Sequence, residues 1–104
     1  MSANQPSEAA RRPIRVTLKV FGGLRDLRPS PIETRTVPAG CTVADLWDRL
    51  QGEDPRFATA LREGVASGYL HVLVNGRNIV FLDGPRTRLS NGDTVAVLPP
   101  IGGG

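Results

Sequence analysis

The sequence predicts an α+β domain in which one main helix packs on one face of a sheet. Apolar and polar residues alternate in separate stretches near both ends of the chain, the pattern of half-buried strands. Between them Val43, Leu46, Trp47 and Leu50 recur at helical spacing. Clusters of Gly, Pro and Asn divide these stretches from one another, as turns do.

Residues 1–13 are polar without periodicity and read as a flexible tail. From Ile14 to Phe21 the chain alternates, with Ile14, Val16, Leu18 and Val20 on one face and Arg15, Thr17, Lys19 and Phe21 on the other. Gly22 and Gly23 break this strand, and Leu24 to Leu27 form a turn or helical stub. Pro29 and Pro31 keep the next stretch irregular before a second strand, Glu33 to Val37, which Pro38, Ala39 and Gly40 end. Thr42 with Asp45 three residues later has the form of a helix N-cap, and Gly52 is a stop signal for the helix that follows. Pro55 to Arg62 reads as a second short helix with Phe57 and Leu61 on one side. Leu70 to Asn75 is a third strand, Asn75 and Gly76 suit a tight turn, and Asn78 to Leu82 reads as a short fourth strand. Asn91, Gly92 and Asp93 turn the chain into a last strand, Thr94 to Leu98, which Pro99 and Pro100 end. Periodicity leaves the strand order open.

A chain of 104 residues fits one domain with a core large enough to need neither disulfide nor metal. Its single cysteine, Cys41, excludes an intrachain disulfide, and a reducing, cytoplasmic compartment is expected. No apolar run approaches the roughly 20 residues of a membrane helix, and Met1 to Pro13 lacks the apolar stretch of a secretory signal. No membrane association is therefore expected. The net charge is +3, with thirteen Lys and Arg of which Lys19 alone is lysine. The arginines are scattered and no aromatic platform accompanies them, so no nucleic-acid partner is expected. His71 is the only histidine, which gives no metal-site geometry, and Gly22 and Gly23 lack phosphate-loop spacing. Cys41 stands near the helix start, where a thiolate would gain from the dipole, but a small filler is the better reading. Trp47 fits core packing, and Arg25 is a solvated or partner-facing cation. No acid–base or nucleophile constellation is visible, so no catalytic residue is assigned.

The end of the chain carries the functional signal. The stretch NGDTVAVLPPIGGG, from Asn91 to Gly104, resembles the C-terminus of the small subunit of molybdopterin synthase, within the wider family of ubiquitin-like sulfur carriers that includes the thiamine and cysteine carriers and prokaryotic modifiers. FGGLRDL, from Phe21 to Leu27, resembles the family segment after the first strand, and Val74, Asn75 and Gly76 resemble its turn before the short strand. The resemblance covers roughly residues 14–104. It implies a β-grasp fold, a mixed sheet gripping the helix, divided as a tail over 1–13, a domain over 14–98 and a functional tail over 99–104. The stretch from Glu53 to Gly68 is longer than in the thiamine carriers, which leans toward the molybdopterin type.

The resemblance also implies a mechanism. A ubiquitin-activating-type partner uses ATP to adenylate the carboxylate of Gly104, and a sulfur donor converts it to a thiocarboxylate. The carrier itself binds no cofactor and no metal. A molybdopterin synthase large subunit or another sulfur-accepting enzyme then takes the sulfur. Glycines at Gly102, Gly103 and Gly104 suit threading into a narrow channel, Pro99 and Pro100 end the ladder, and Ile101 offers one apolar handhold. Extended, Pro99 to Gly104 reaches at most about 20 Å. Strand parity points Phe21, His71, Leu73, Ala96 and Leu98 away from the core, and such a patch marks a contact surface. The family uses its open sheet face for partners, so Phe21, Leu73 and Leu98 are the interface candidates. Sulfur delivery to cysteine, thiamine, thio-metabolite or tRNA synthesis, protein modification through Gly104, and a plain binding module with an inert tail are the competing functions.

Overall fold

The computed structural model describes residues 12–28 and 30–99. Five strands, β1 (Ile14–Val20), β2 (Ile32–Val37), β3 (His71–Val74), β4 (Arg77–Asn78) and β5 (Thr94–Leu98), form one sheet in the order β2-β1-β5-β3-β4. Two helices, α1 (Val43–Glu53) and α2 (Pro55–Ala66), connect β2 to β3. β1 and β5 run parallel in the centre, and the other neighbours are antiparallel, so the sheet is mixed. This is the β-grasp, ubiquitin-like fold that the resemblance implied.

Alternation sets the inner face. Val16, Leu18 and Val20 of β1, Val72 and Val74 of β3, and Val95 and Val97 of β5 are buried together with Val43, Leu46, Trp47 and Leu50 of α1. Helix α1 starts on a complete capping box: the Thr42 hydroxyl accepts from the Asp45 N–H at 3.1 Å, and the Asp45 carboxylate accepts from the Thr42 N–H at 3.0 Å. Contrary to the sequence reading, Gly52 does not stop this helix, which continues to Glu53. Asp54 does so instead. Its N–H closes α1 on the Leu50 carbonyl, and its side chain caps α2 through the Phe57 N–H, with Pro55 at the first helical position. Helix α2 runs one turn beyond the expected Arg62 and buries Phe57, Ala58 and Leu61.

One further reading needs correction. The segment Asn78 to Leu82 is a strand only at Asn78. The Asn78 side chain accepts from the Val80 N–H at 3.0 Å and turns Ile79–Phe81 into a 3₁₀ turn, so Ile79 is buried while Val80 and Phe81 are exposed. The turn or helical stub expected over Leu24 to Leu27 is present as a 3₁₀ turn that begins at Gly22 and ends at Leu27.

Strand β2 carries charge where the other strands carry core. Register places Glu33 opposite Leu18 and Arg35 opposite Val16, on the inner face. There Arg35 pairs with Glu33 and with Glu53 at the end of α1, while Arg28 pairs with Glu33 and with Asp54. The Arg28 guanidinium also lies 4.8 Å from the Phe57 ring centroid. The group closes the open end of the core with paired charges.

Candidate functional site

The C-terminal strand is the middle strand of the sheet, so the chain leaves from the centre. The Phe21 N–H donates to the Val97 carbonyl at 3.0 Å, and Leu98 pairs with His71. Pro99 has no N–H to continue the ladder, and pairing stops there. Pro100, Ile101, Gly102, Gly103 and Gly104, named above as the threading segment and the modified glycine, lie outside the described residues, as does most of the 1–13 tail.

Pro99 is half-buried between two apolar depressions. The first, about 530 Å³, lies on the outer sheet face and is lined by His71, Leu73, Arg77, Asn78, Phe81 and Leu98. The second, about 250 Å³, lies between the 3₁₀ turn, α2 and the loop before β3, with Phe21, Leu24, Ala60, Tyr69 and Leu70 around it. Parity thus put Leu73 and Leu98 together as expected. Phe21 is outside the core, at 41% exposure, but it belongs to the other depression, across Pro99 from Leu98. Phe21 is extended and still bonded to β5 through its N–H, but it stands at the very end of the strand, where the chain turns at Gly22 toward α2.

Sequence reasoning missed the most exposed apolar residues of this region. Phe81 is 82% exposed, Val80 70% and Tyr69 63%. Asn78, an Asx-turn former at the strand start, was the available signal for the first two. His71 shares a 3.3 Å contact between its Nδ1 and the Asn78 side-chain amide, so the histidine is fixed in the groove wall.

The electrostatics of the outer face are one-sided. Arg15 and Lys19 project from it on β1, and no outward position of the five strands bears a carboxylate. The single acidic strand residue, Glu33, turns inward to its arginines. Cys41 is buried, and burial pushes its thiol pKa up, with Asp45 adding to the shift and Arg49 opposing it. That is the environment of a filler residue and the opposite of an activated thiolate. Trp47 is buried as expected.

Among the described residues no three His, Cys, Asp or Glu side chains gather as a metal site would require, and no helix is long and apolar enough to cross a membrane. The described residues offer two apolar surfaces and an outgoing strand end.

Comparison with known proteins agrees with this geometry. The ThiS family model matches residues 18–104. Small archaeal modifier protein 3 of Haloferax volcanii is 34% identical over 88 residues, covering 84% of this chain and 96% of that protein. Sulfur carrier protein CysO of Mycobacterium tuberculosis is 28% identical over 83 residues, covering 75% and 89%. The structure of a putative molybdopterin converting factor subunit 1 from Pyrococcus furiosus superposes with a TM-score of 0.67 at 26% identity, covering 85% of this chain and 99% of that one. A β-grasp body, a central strand that ends at a proline, and a family match running to the last glycine converge: the chain belongs to the ThiS family and is a ubiquitin-like sulfur carrier protein.

Proposed function

We propose that Gly104 is adenylated by a ubiquitin-activating-type enzyme using ATP, converted to a thiocarboxylate, and presented to the large subunit of a molybdopterin synthase. The observation that carries this is the exit of the chain from the middle of the sheet at Pro99, between two apolar depressions, with Ile101 and three glycines still to come. A partner seated on Phe21, Leu73, Leu98 and Phe81 would hold the body while the tail, which can reach at most about 20 Å, enters its active site. The catalytic groups belong to the partner, because the carrier supplies an acyl terminus and a docking face. The positive outer face fits a partner with an acidic rim around an apolar centre. Similarity to the Pyrococcus protein supports the molybdopterin assignment.

Intact-mass measurement tests the proposal. The chain, a cognate activating enzyme, Mg-ATP and a sulfur donor should give a product with one oxygen exchanged for sulfur. Deletion of Gly104 should abolish the exchange while the melting curve is unchanged. Sulfur acceptance by the Gly104-deleted chain refutes it. Supplying the thiocarboxylated chain to a synthase large subunit with pterin precursor tests the pathway.

A second reading is protein modification, favoured by 34% identity to a small archaeal modifier. Isopeptide-linked adducts on target lysines in place of sulfur transfer distinguish it. Delivery to cysteine, thiamine, thio-metabolite or tRNA synthesis is distinguished by which acceptor enzyme takes the sulfur, the similarity to CysO favouring the first of these.

A further inference from the structure

The two depressions meet at Pro99, and Pro99 rests on Gly22. A Cβ added to Gly22 would lie 3.1 Å from Pro99 Cγ, 3.3 Å from its Cδ and 3.7 Å from its Cβ. Gly22 also has φ +74°, in the left-handed region. These are separate demands on one position. Asparagine can meet the backbone demand, but only glycine meets the demand for space.

We propose that Gly22 is a positioning residue: its bare backbone seats the Pro99 ring and so sets the direction in which the C-terminal tail leaves the sheet. The functional consequence rests on the carrier reading above, whereas the seat itself does not.

Three physical facts make the seat directional. Pro99 lacks an N–H, so the ladder that holds Leu98 cannot hold it, and side-chain packing takes over. The ring fixes φ of Pro99, and a following proline confines its ψ to extended values. Pro99 is therefore a stiff joint, and tilting its ring tilts the outgoing chain. A contact of 3.1 Å must relax by a few tenths of an ångström once a Cβ is present. Misplacing a reacting carbon by about 1 Å costs about 100-fold in rate.

The test uses the full-length chain. ATP–pyrophosphate exchange by the cognate activating enzyme is followed with the carrier as varied substrate. Gly22→Asn should lower kcat by about 10- to 100-fold, with KM for the carrier changed by less than about threefold, since the docking side chains Phe21, Leu73, Phe81 and Leu98 are all retained. Pro99→Ala, which removes the two closest ring atoms and so the seated ring, should lower kcat as well, and adding it to Gly22→Asn should cause little further loss, because both changes disable one contact. Gly92→Asn is the control, because Gly92 has φ +91° but open space at its Cβ; it should behave as the unmodified chain. An unchanged kcat for Gly22→Asn, a raised KM with full kcat, or losses from Gly22→Asn and Pro99→Ala that multiply in the double variant overturns the proposal.

A partner-free measurement separates this from the carrier reading. In a Cys41→Ser, Gly104→Cys chain bearing a nitroxide at position 104, the set of broadened amides should move when Gly22→Asn is introduced, and Pro99→Ala alone should spread it. Identical broadening in all three chains overturns the seat. A shifted pattern together with no adenylate formation by the unmodified chain overturns the carrier reading and leaves the seat standing. Should Gly22→Asn fail to fold, the Pro99→Ala comparison decides, because it leaves residue 22 unaltered.

Discussion

Two phenylalanines of the same size divide stability from binding. A Phe side chain offers roughly 200 Å² to burial. Phe81 keeps 82% of its surface in solvent, and Phe57 keeps none. At about 25 cal/mol per Å² the buried fraction of Phe81 is worth about 1 kcal/mol, and full burial of Phe57 about 5 kcal/mol. Phe57→Ala also deprives the Arg28 guanidinium of its ring, and truncations of this kind cost about 3–5 kcal/mol. Against a total stability of about 5–15 kcal/mol, that removes much of the fold. Phe81→Ala should shift the urea midpoint little, by about 1 kcal/mol or less. The exposed area of Phe81 has value only in a complex. If a partner covers it, Phe81→Ala should raise the dissociation constant for the activating enzyme by about tenfold or more, equivalent to about 1.4 kcal/mol. Urea denaturation of both variants and titration calorimetry of Phe81→Ala and Leu98→Ala check this. The reasoning fails if Phe81→Ala destabilises the free protein as severely as Phe57→Ala, or if it binds like the unmodified chain while Leu98→Ala does not.

Cys41→Ser should accept sulfur at Gly104 as readily as the parent, while losing about 1–2 kcal/mol of stability for the buried hydroxyl. Because burial raises the Cys41 pKa, iodoacetamide at neutral pH should alkylate the native protein more slowly than the urea-unfolded chain; equal rates would contradict the filler assignment. The Arg35 hydrogen bond holds the Glu53 carboxyl below its ordinary pKa, so the stability it contributes is present above the unfolded value of about 4.3 and is lost as pH falls through the lower folded value. Glu53→Gln should therefore be less stable than the parent at neutral pH by about 0.5 kcal/mol or less, given its exposure, with the gap closing in acid; denaturation curves across that range show it. With Arg15 and Lys19 at outward strand positions, none of which bears a carboxylate, KM of the activating enzyme for the carrier should rise with salt, and Lys19→Glu should raise it at low salt and flatten that dependence. A KM indifferent to salt would count against an acidic rim on the partner.

Much of this architecture was legible in the sequence because its determinants are local. Strand alternation in Ile14–Val20 and Thr94–Leu98 marks the buried face directly, and Thr42 with Asp45 writes the start of α1. What escaped was set by contacts distant in sequence or by competition between equally local signals. Gly52 has the look of a terminator, yet Asp54 and Pro55 fix the boundary because one side chain can cap the second helix as the first closes. Ile79 and Phe81 share strand parity, but the Asn78 side chain captures the Val80 N–H and rotates them apart. Of the candidate site, Leu73 and Leu98 followed from parity, while the separation of Phe21 from them depends on where β1 ends. The Arg28 pairing with Asp54 spans 26 residues, and no periodicity reports it.

That charged group under β2 bears on how many copies of the carrier can share a small volume. A sheet has two open margins, and each is a template on which another chain can zip. Here one margin, β4, is only two residues long. The other, β2, has Glu33 and Arg35 directed under the sheet and locked to Arg28 and Glu53. A neighbour adding a strand there would have to lay its own apolar side chains against these ions. Sheet-to-sheet polymerisation is thereby discouraged at both ends. Among the described residues most of the exposed apolar side chains, Phe21, Tyr69, Val80 and Phe81, lie away from these two margins, so side-by-side pairing of carriers should be weaker than docking of a partner on the outer face and the base of the tail.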